Sequence, residues 1–139
     1  MKLTDLEPKT AKLYLKHPVS NKIIKDDSKQ EVYLNVVGRD SDEYHNSQQE
    51  FINTLQGLGE DALDNYTADD LQKRAVNQLT AHVVGWDKKF NSFFETFDDS
   101  DGSYTPELVH SILSNRKYNW LLKQIDDYVA EREHFFMNS

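Results

Sequence analysis

The spacing of apolar side chains changes once along this chain, near Gly38, and that change restricts the fold more than any other feature. Before Gly38 the apolar residues come in short runs. Lys12-Leu13-Tyr14-Leu15-Lys16 alternates, with Leu13 and Leu15 on one face. Lys22-Ile23-Ile24-Lys25 is brief, and Glu31-Val32-Tyr33-Leu34-Asn35-Val36-Val37 sets Val32, Leu34 and Val36 against Tyr33 and Val37. Alternation with period two belongs to strands with one covered face. Pro18-Val19-Ser20-Asn21 and Asp26-Asp27-Ser28-Lys29 supply turn chemistry between the runs. The reading is a small antiparallel meander, and a sheet of this size needs helices packed on it.

After Gly38 the spacing becomes three and four. Gly38-Arg39-Asp40-Ser41 closes the sheet region, and Asp40 or Ser41 caps a helix whose first turn holds Asp42 and Glu43. Tyr44, Phe51, Leu55 and Leu58 form its sparse stripe, with Gly57 and Gly59 as stop signals. Thr67-Ala68-Asp69-Asp70 has the form of a capping box. Leu71, Ala75, Leu79, Val83, Trp86 and Phe90 follow at helical steps, and Phe93, Phe94 and Phe97 continue the period, with Gly85 as a candidate interruption of the helix. Thr105-Pro106-Glu107 starts another helix, with Leu108, Val109, Ile112 and Leu113 as its stripe and Asn115 at its end. Tyr118, Leu121, Leu122, Ile125 and Val129 make a last amphipathic helix running toward Phe135. Strands first and helices afterwards predict an α+β fold. The length of 139 residues suits one domain, 1–139, with a β portion at 1–38 and a helical portion at 39–139.

Charge narrows the partners. Sixteen Lys and Arg against 24 Asp and Glu give a formal net charge of −8. Nucleic-acid affinity rests on cations that neutralise phosphates, and anionic membrane surfaces also attract cations, so neither is an expected partner. The chain has no Cys, hence no disulfide, thiolate ligand or thiol nucleophile. Met1 to Pro8 carries charges where a signal peptide needs an apolar stretch, and no run nears the ~18 apolar residues of a membrane span. Cytoplasm is the expected location.

Three chemical patterns need weighing. Asp98-Asp99-Ser100-Asp101-Gly102 looks like a calcium loop, but anchoring Gly102 at position six puts Phe97 at position one and Leu108 at position twelve. Both required carboxylates are missing, so an acidic turn is the reading. Glu-x-x-His occurs at Glu107–His110 and Glu131–His134, the spacing used by di-iron and di-manganese helical bundles. At about 100° per residue, His110 lies about 200° from Leu108, and Glu131 and His134 fall away from Ile125. Ligands must point inward, so no metal, cofactor or catalytic residue is assigned, although a di-metal carboxylate enzyme remains a rival. His17 and His45 have no evident partners, and His82 reads as a histidine at the edge of the core. The third pattern is aromatic. Trp86, Phe90, Phe93, Phe94 and Phe97 are either core, since aromatics bury large areas, or in part an exposed docking surface. They are taken here as the candidate partner-binding residues.

Three stretches also carry a family likeness. Leu15-Lys16-His17-Pro18-Val19-Ser20-Asn21 is a strand entering an H-P-x-[ST] turn. Val36-Val37-Gly38-Arg39-Asp40-Ser41-Asp42-Glu43-Tyr44 is a strand, a G-x-D-S step and a Tyr-bearing helix start. Ala81-His82-Val83-Val84-Gly85-Trp86 is an [AL]-x-x-[VI]-x-G-W helix end, followed by an acid-and-Gly loop and a helix opening with Pro. In this order the chain resembles the tail assembly chaperones of long-tailed, siphovirus-like bacteriophages across most of residues 12–125. It departs from them after the G-W pair, where Lys88 to Phe97 is long and Phe-rich instead of short and polar. The resemblance implies a protein without catalytic residues that coats the tape measure protein, recruits tail tube subunits, works in the host cytoplasm and is left out of the mature virion. A structural tail or neck component is the rival within the same biology. Homo-oligomerisation is a further expectation, because the aromatic cluster could bury itself against a second copy.

Overall fold

The structure, a computed structural model, describes residues 2–58, 67–95 and 101–136. Strand β1 (Ala11–Tyr14) pairs antiparallel with β2 (Tyr33–Val36), which pairs antiparallel with β3 (Val83–Gly85). Among the described residues four α-helices accompany the sheet: α1 (Asp42–Leu58), α2 (Ala68–His82), α3 (Pro106–Ser114) and α4 (Asn119–Val129). This is the α+β architecture the change of period predicts.

The first and third expected runs are β1 and β2. Leu13 faces Leu34 across the ladder, and Leu13, Leu15, Val32, Leu34 and Val36 are all buried. The second run, Lys22 to Lys25, forms only isolated bridges, Lys16 to Ile23 and Lys25 to Glu31. It wedges into the open end of the hairpin, where Ile24 N donates to Leu15 O (2.8 Å) and Val32 N donates to Ile24 O (3.0 Å).

The third strand corrects the expectation of a meander confined to residues 1–38. It is supplied by Val83–Gly85, which follows the helical spacing up to the interruption expected at Gly85. Helix α2 stops at His82 where the β-branched pair Val83-Val84 begins and the chain joins the ladder, Val83 opposite Val36 and Gly85 opposite Asn35. The inward face of α2 is Val76, Leu79 and His82, whereas Leu71, expected in the stripe, is 57% exposed.

The helix caps follow the sequence closely. Thr67 and Asp70 form a reciprocal capping box, in which Asp70 N donates to Thr67 Oγ1 and Thr67 N to the Asp70 carboxylate. The Thr67 backbone N–H and hydroxyl, both donating to the Asp70 carboxylate, hold that carboxyl below its ordinary pKa. Ser41 caps α1, its Oγ accepting from Tyr44 N (3.1 Å), and Thr105 caps α3 ahead of Pro106. The stripes of α3 (Leu108, Val109, Ile112, Leu113) and α4 (Leu121, Ile125, Val129) close one core with the sheet. Helix α4 ends at Val129, and Phe135 reaches the core from a separate 3-10 turn, Arg132–Phe135.

That last turn ties the ends together. Lys9 N donates to Phe135 O (2.8 Å), and Arg132 forms a two-point ion pair with Asp40 (2.7 and 3.0 Å). Gly38 leaves room for the Phe135 ring, since a Cβ there would lie 2.7 Å from Phe135 Cδ2. Gly59 and the acidic run Asp98-Asp99-Ser100 fall outside the described residues.

Candidate functional site

The aromatic segment after β3 forms a packed knot. The chain turns at Asp87, whose side chain caps the 3-10 turn Lys88–Phe90 by accepting from Lys89 N. Phe90 is fully buried and meets Tyr33 edge-on at 5.0 Å. Trp86 stacks on Phe94 (4.0 Å, 23°) and meets the edge of Tyr104 (5.3 Å). The Trp86 indole N–H donates to Gly102 O at 2.9 Å. Gly102 is irreplaceable there: its φ is +80°, and a Cβ would stand 1.7 Å from Asn91 O.

Of the two readings of the aromatic segment, core or in part an exposed docking surface, the described residues follow the first, which removes Trp86, Phe90 and Phe94 as exposed contact residues. Trp86, Phe90 and Phe94 are buried, Phe93 is half-buried against Phe94 (5.0 Å), and Phe97 lies outside the described residues. Helical spacing past Gly85 suggested one long face. The strand and 3-10 turn that replace the helix fold the same rings inward.

The three likeness-bearing stretches hold structural positions. His17 Nδ1 accepts from Val19 N (3.1 Å) and Ser20 N (3.3 Å), so the imidazole caps its own turn. Ser41 Oγ also donates to Gly38 O (2.6 Å) while capping α1. The second and third stretches meet: Val37 N donates to His82 O (2.8 Å) and His82 Nδ1 donates to Val37 O (2.7 Å). His82 is 1% exposed, stacks on Tyr44 (4.8 Å) and is the core histidine its position suggested. Burial, assisted by the Arg39 charge, pulls its pKa below the ordinary value against the opposing Val37 hydrogen bond.

Neither Glu-x-x-His pair converges on a shared centre. His110 Nε2 bonds Asn77 Oδ1 (2.9 Å), while His134 pairs with Glu131 (2.8 Å) and stacks flat on Tyr128 (4.0 Å, 6°). Among the described residues no group of three or more His, Asp or Glu side chains is placed to hold a metal ion. Among them, too, no helix is long and apolar enough to cross a membrane.

A cleft of about 710 Å³ opens between α1, α2 and the start of α3. Glu43, Glu50, Arg74, Asn77, Tyr104 and His110 line its polar part. The Arg74 guanidinium lies over the Phe51 ring (3.9 Å), and its buried Nε has no hydrogen-bond partner among the described residues. Tyr104 donates its hydroxyl to Val83 O (2.9 Å), and burial with the Glu107 and Glu43 charges raises its pKa. Sequence spacing did not reveal this cleft, because Phe51 and Arg74 sit on different helices and carry no shared motif.

No protein-family model, curated protein or solved structure matches the chain.

Proposed function

We propose that this chain is a tail assembly chaperone of a long-tailed bacteriophage. It acts by protein–protein contact in the host cytoplasm, binding the tape measure protein, helping to recruit tail tube subunits, and leaving before the virion matures. The observation that carries this reading is the order and spacing of the three stretches at residues 15–21, 36–44 and 81–86. The coupling of the second and third stretches through the mutual Val37–His82 bonds is what a family motif set would need if it preserved a fold. A tape measure protein is a long helix whose apolar stripes aggregate until the tube covers them. An anionic protein of net charge −8 suits reversible covering, since it resists association with itself.

The test is co-expression with the tape measure protein of the same genome. The expected result is a tape measure that pellets alone and is recovered in a soluble complex with this chain. A tape measure that is equally soluble without it overturns the reading. Mass spectrometry of purified virions separates the rival: a stoichiometric amount of this chain makes it a structural tail or neck component.

A further inference from the structure

The outward face of the sheet carries a surface that linear spacing does not reveal. Lys12 and Tyr14 on β1 lie on the sheet face opposite the buried Leu13, Tyr33 on β2 pairs with Tyr14 there while packing partly against the core, and Lys89 reaches the same place from the 3-10 turn after β3. Lys12 Nζ lies 4.8 Å and Lys89 Nζ 5.8 Å from the centre of the one Tyr33 ring. Tyr33 is half-buried between Tyr14 (5.4 Å) and the sealed Phe90 (5.0 Å), so the ring is a fixed post. Ammonium groups over aromatic faces are held by the ring quadrupole without being neutralised.

Their company is the telling point. The chain has 24 acids to 16 bases, yet neither ammonium has a carboxylate partner among the described residues. Asp87, the neighbouring acid in sequence, spends its carboxylate on the backbone N–H of Lys89. The result is a local cationic spot with aromatic area between its charges, set on an anionic protein.

We propose that this face docks an acidic, apolar-interleaved segment of a polypeptide partner. Carboxylates would pair with Lys12 and Lys89 while an apolar side chain rests on Tyr14 and Tyr33. A polypeptide fits better than a nucleic acid. An extended phosphate chain needs cations along its whole length and meets a net charge of −8, whereas a short acidic segment needs only the two lysines. Any partner with that chemistry would serve, so the face does not depend on the tape measure assignment.

Fluorescence anisotropy tests this with a labelled dodecapeptide of repeated Glu-Glu-Leu, its Gln-Gln-Leu counterpart and dodecathymidylate. The acidic peptide is expected to bind wild type best, and Lys12→Glu with Lys89→Glu to weaken it roughly tenfold or more. Lys117→Glu with Lys123→Glu, also exposed, is expected to change binding about twofold at most. Should the first double variant misfold, Lys12→Gln with Lys89→Gln and the amide shifts of wild type at Lys12, Tyr14, Tyr33 and Lys89 give the same reading. Absence of acidic-peptide binding, equal loss in both lysine pairs, shifts centred elsewhere, or dodecathymidylate binding as tightly as the peptide each overturns the proposal.

Discussion

Gln124 grips the main chain of Lys16 with both ends of its amide. Its Oε1 accepts from Lys16 N at 3.0 Å, and its Nε2 donates to Lys16 O at 2.6 Å. One turn further along α4, the Tyr128 hydroxyl donates to Lys12 O (3.1 Å). Two side chains of one helix therefore occupy the outer edge of β1 and of the segment that continues it to Lys16, where uncovered backbone would recruit another chain.

Gln124→Ala is expected to cost about 1–2 kcal/mol, the net worth of two hydrogen bonds that are partly open to water. Urea unfolding measures it. Gln124→Glu keeps the acceptor and loses the donor, and should fall between the two. An unchanged midpoint in Gln124→Ala would show that water replaces the amide at no cost.

The glycines give a sharper pair. Gly102→Ala drives a methyl into Asn91 O and strains a φ of +80°, so a loss of about 3 kcal/mol or more is expected. Trp86, bonded to the Gly102 carbonyl, should report it as a red-shifted emission. Gly38→Ala collides with Phe135 instead, and Phe135→Leu in the same chain should recover part of the lost stability, because only a side chain has to yield.

Acid should weaken the fold through His82. Its pKa in the folded state lies below the ordinary 6.5, so as pH falls below that value the unfolded chain takes up the proton first. Stability contributed by the neutral ring is thus complete above about pH 6.5 and declines as pH drops toward the lowered folded value. The urea midpoint is expected to fall between pH 7 and pH 5 in wild type and to fall less in His82→Asn. Parallel slopes in the two proteins would remove His82 as the cause.

Phe94→Ala and Phe93→Ala should part company. Phe94 is 3% exposed beneath Trp86, so its truncation should cost about 3–5 kcal/mol, whereas half-buried Phe93 should cost clearly less. Partner capture lost with Phe94 would then report a damaged core, which makes the two lysines beside Tyr33 the cleaner probes of binding.

The caps and stripes were readable because they depend on near neighbours. Thr67 with Asp70, Thr105 with Pro106, and the faces of α3 and α4 need nothing beyond four residues of context. Val83–Gly85 was misread because its pairing partner, β2, lies nearly fifty positions earlier, and its apolar spacing fits a helix as well as a strand. The same error exposed the phenylalanines on paper: extended as a helix they line a face, but turned at Asp87 they fill the core. Of the candidate sites, the aromatic positions were visible, and the choice between core and exposed surface needed the turn at Asp87, which only the fold shows. The Lys12–Tyr33–Lys89 face joins residues from three elements, and the Arg74–Phe51 stack joins two helices, so neither leaves a linear signature.

The grip on β1 also sets a timetable for synthesis. The residue that completes the strand's outer edge follows Lys16 by 108 positions. At roughly 5–20 residues per second, a ribosome leaves the first strands waiting on the order of ten seconds for α4 to emerge. Through that interval the nascent hairpin stands with its outer edge unpaired, and it commits to its final form only after Gln124 has been made.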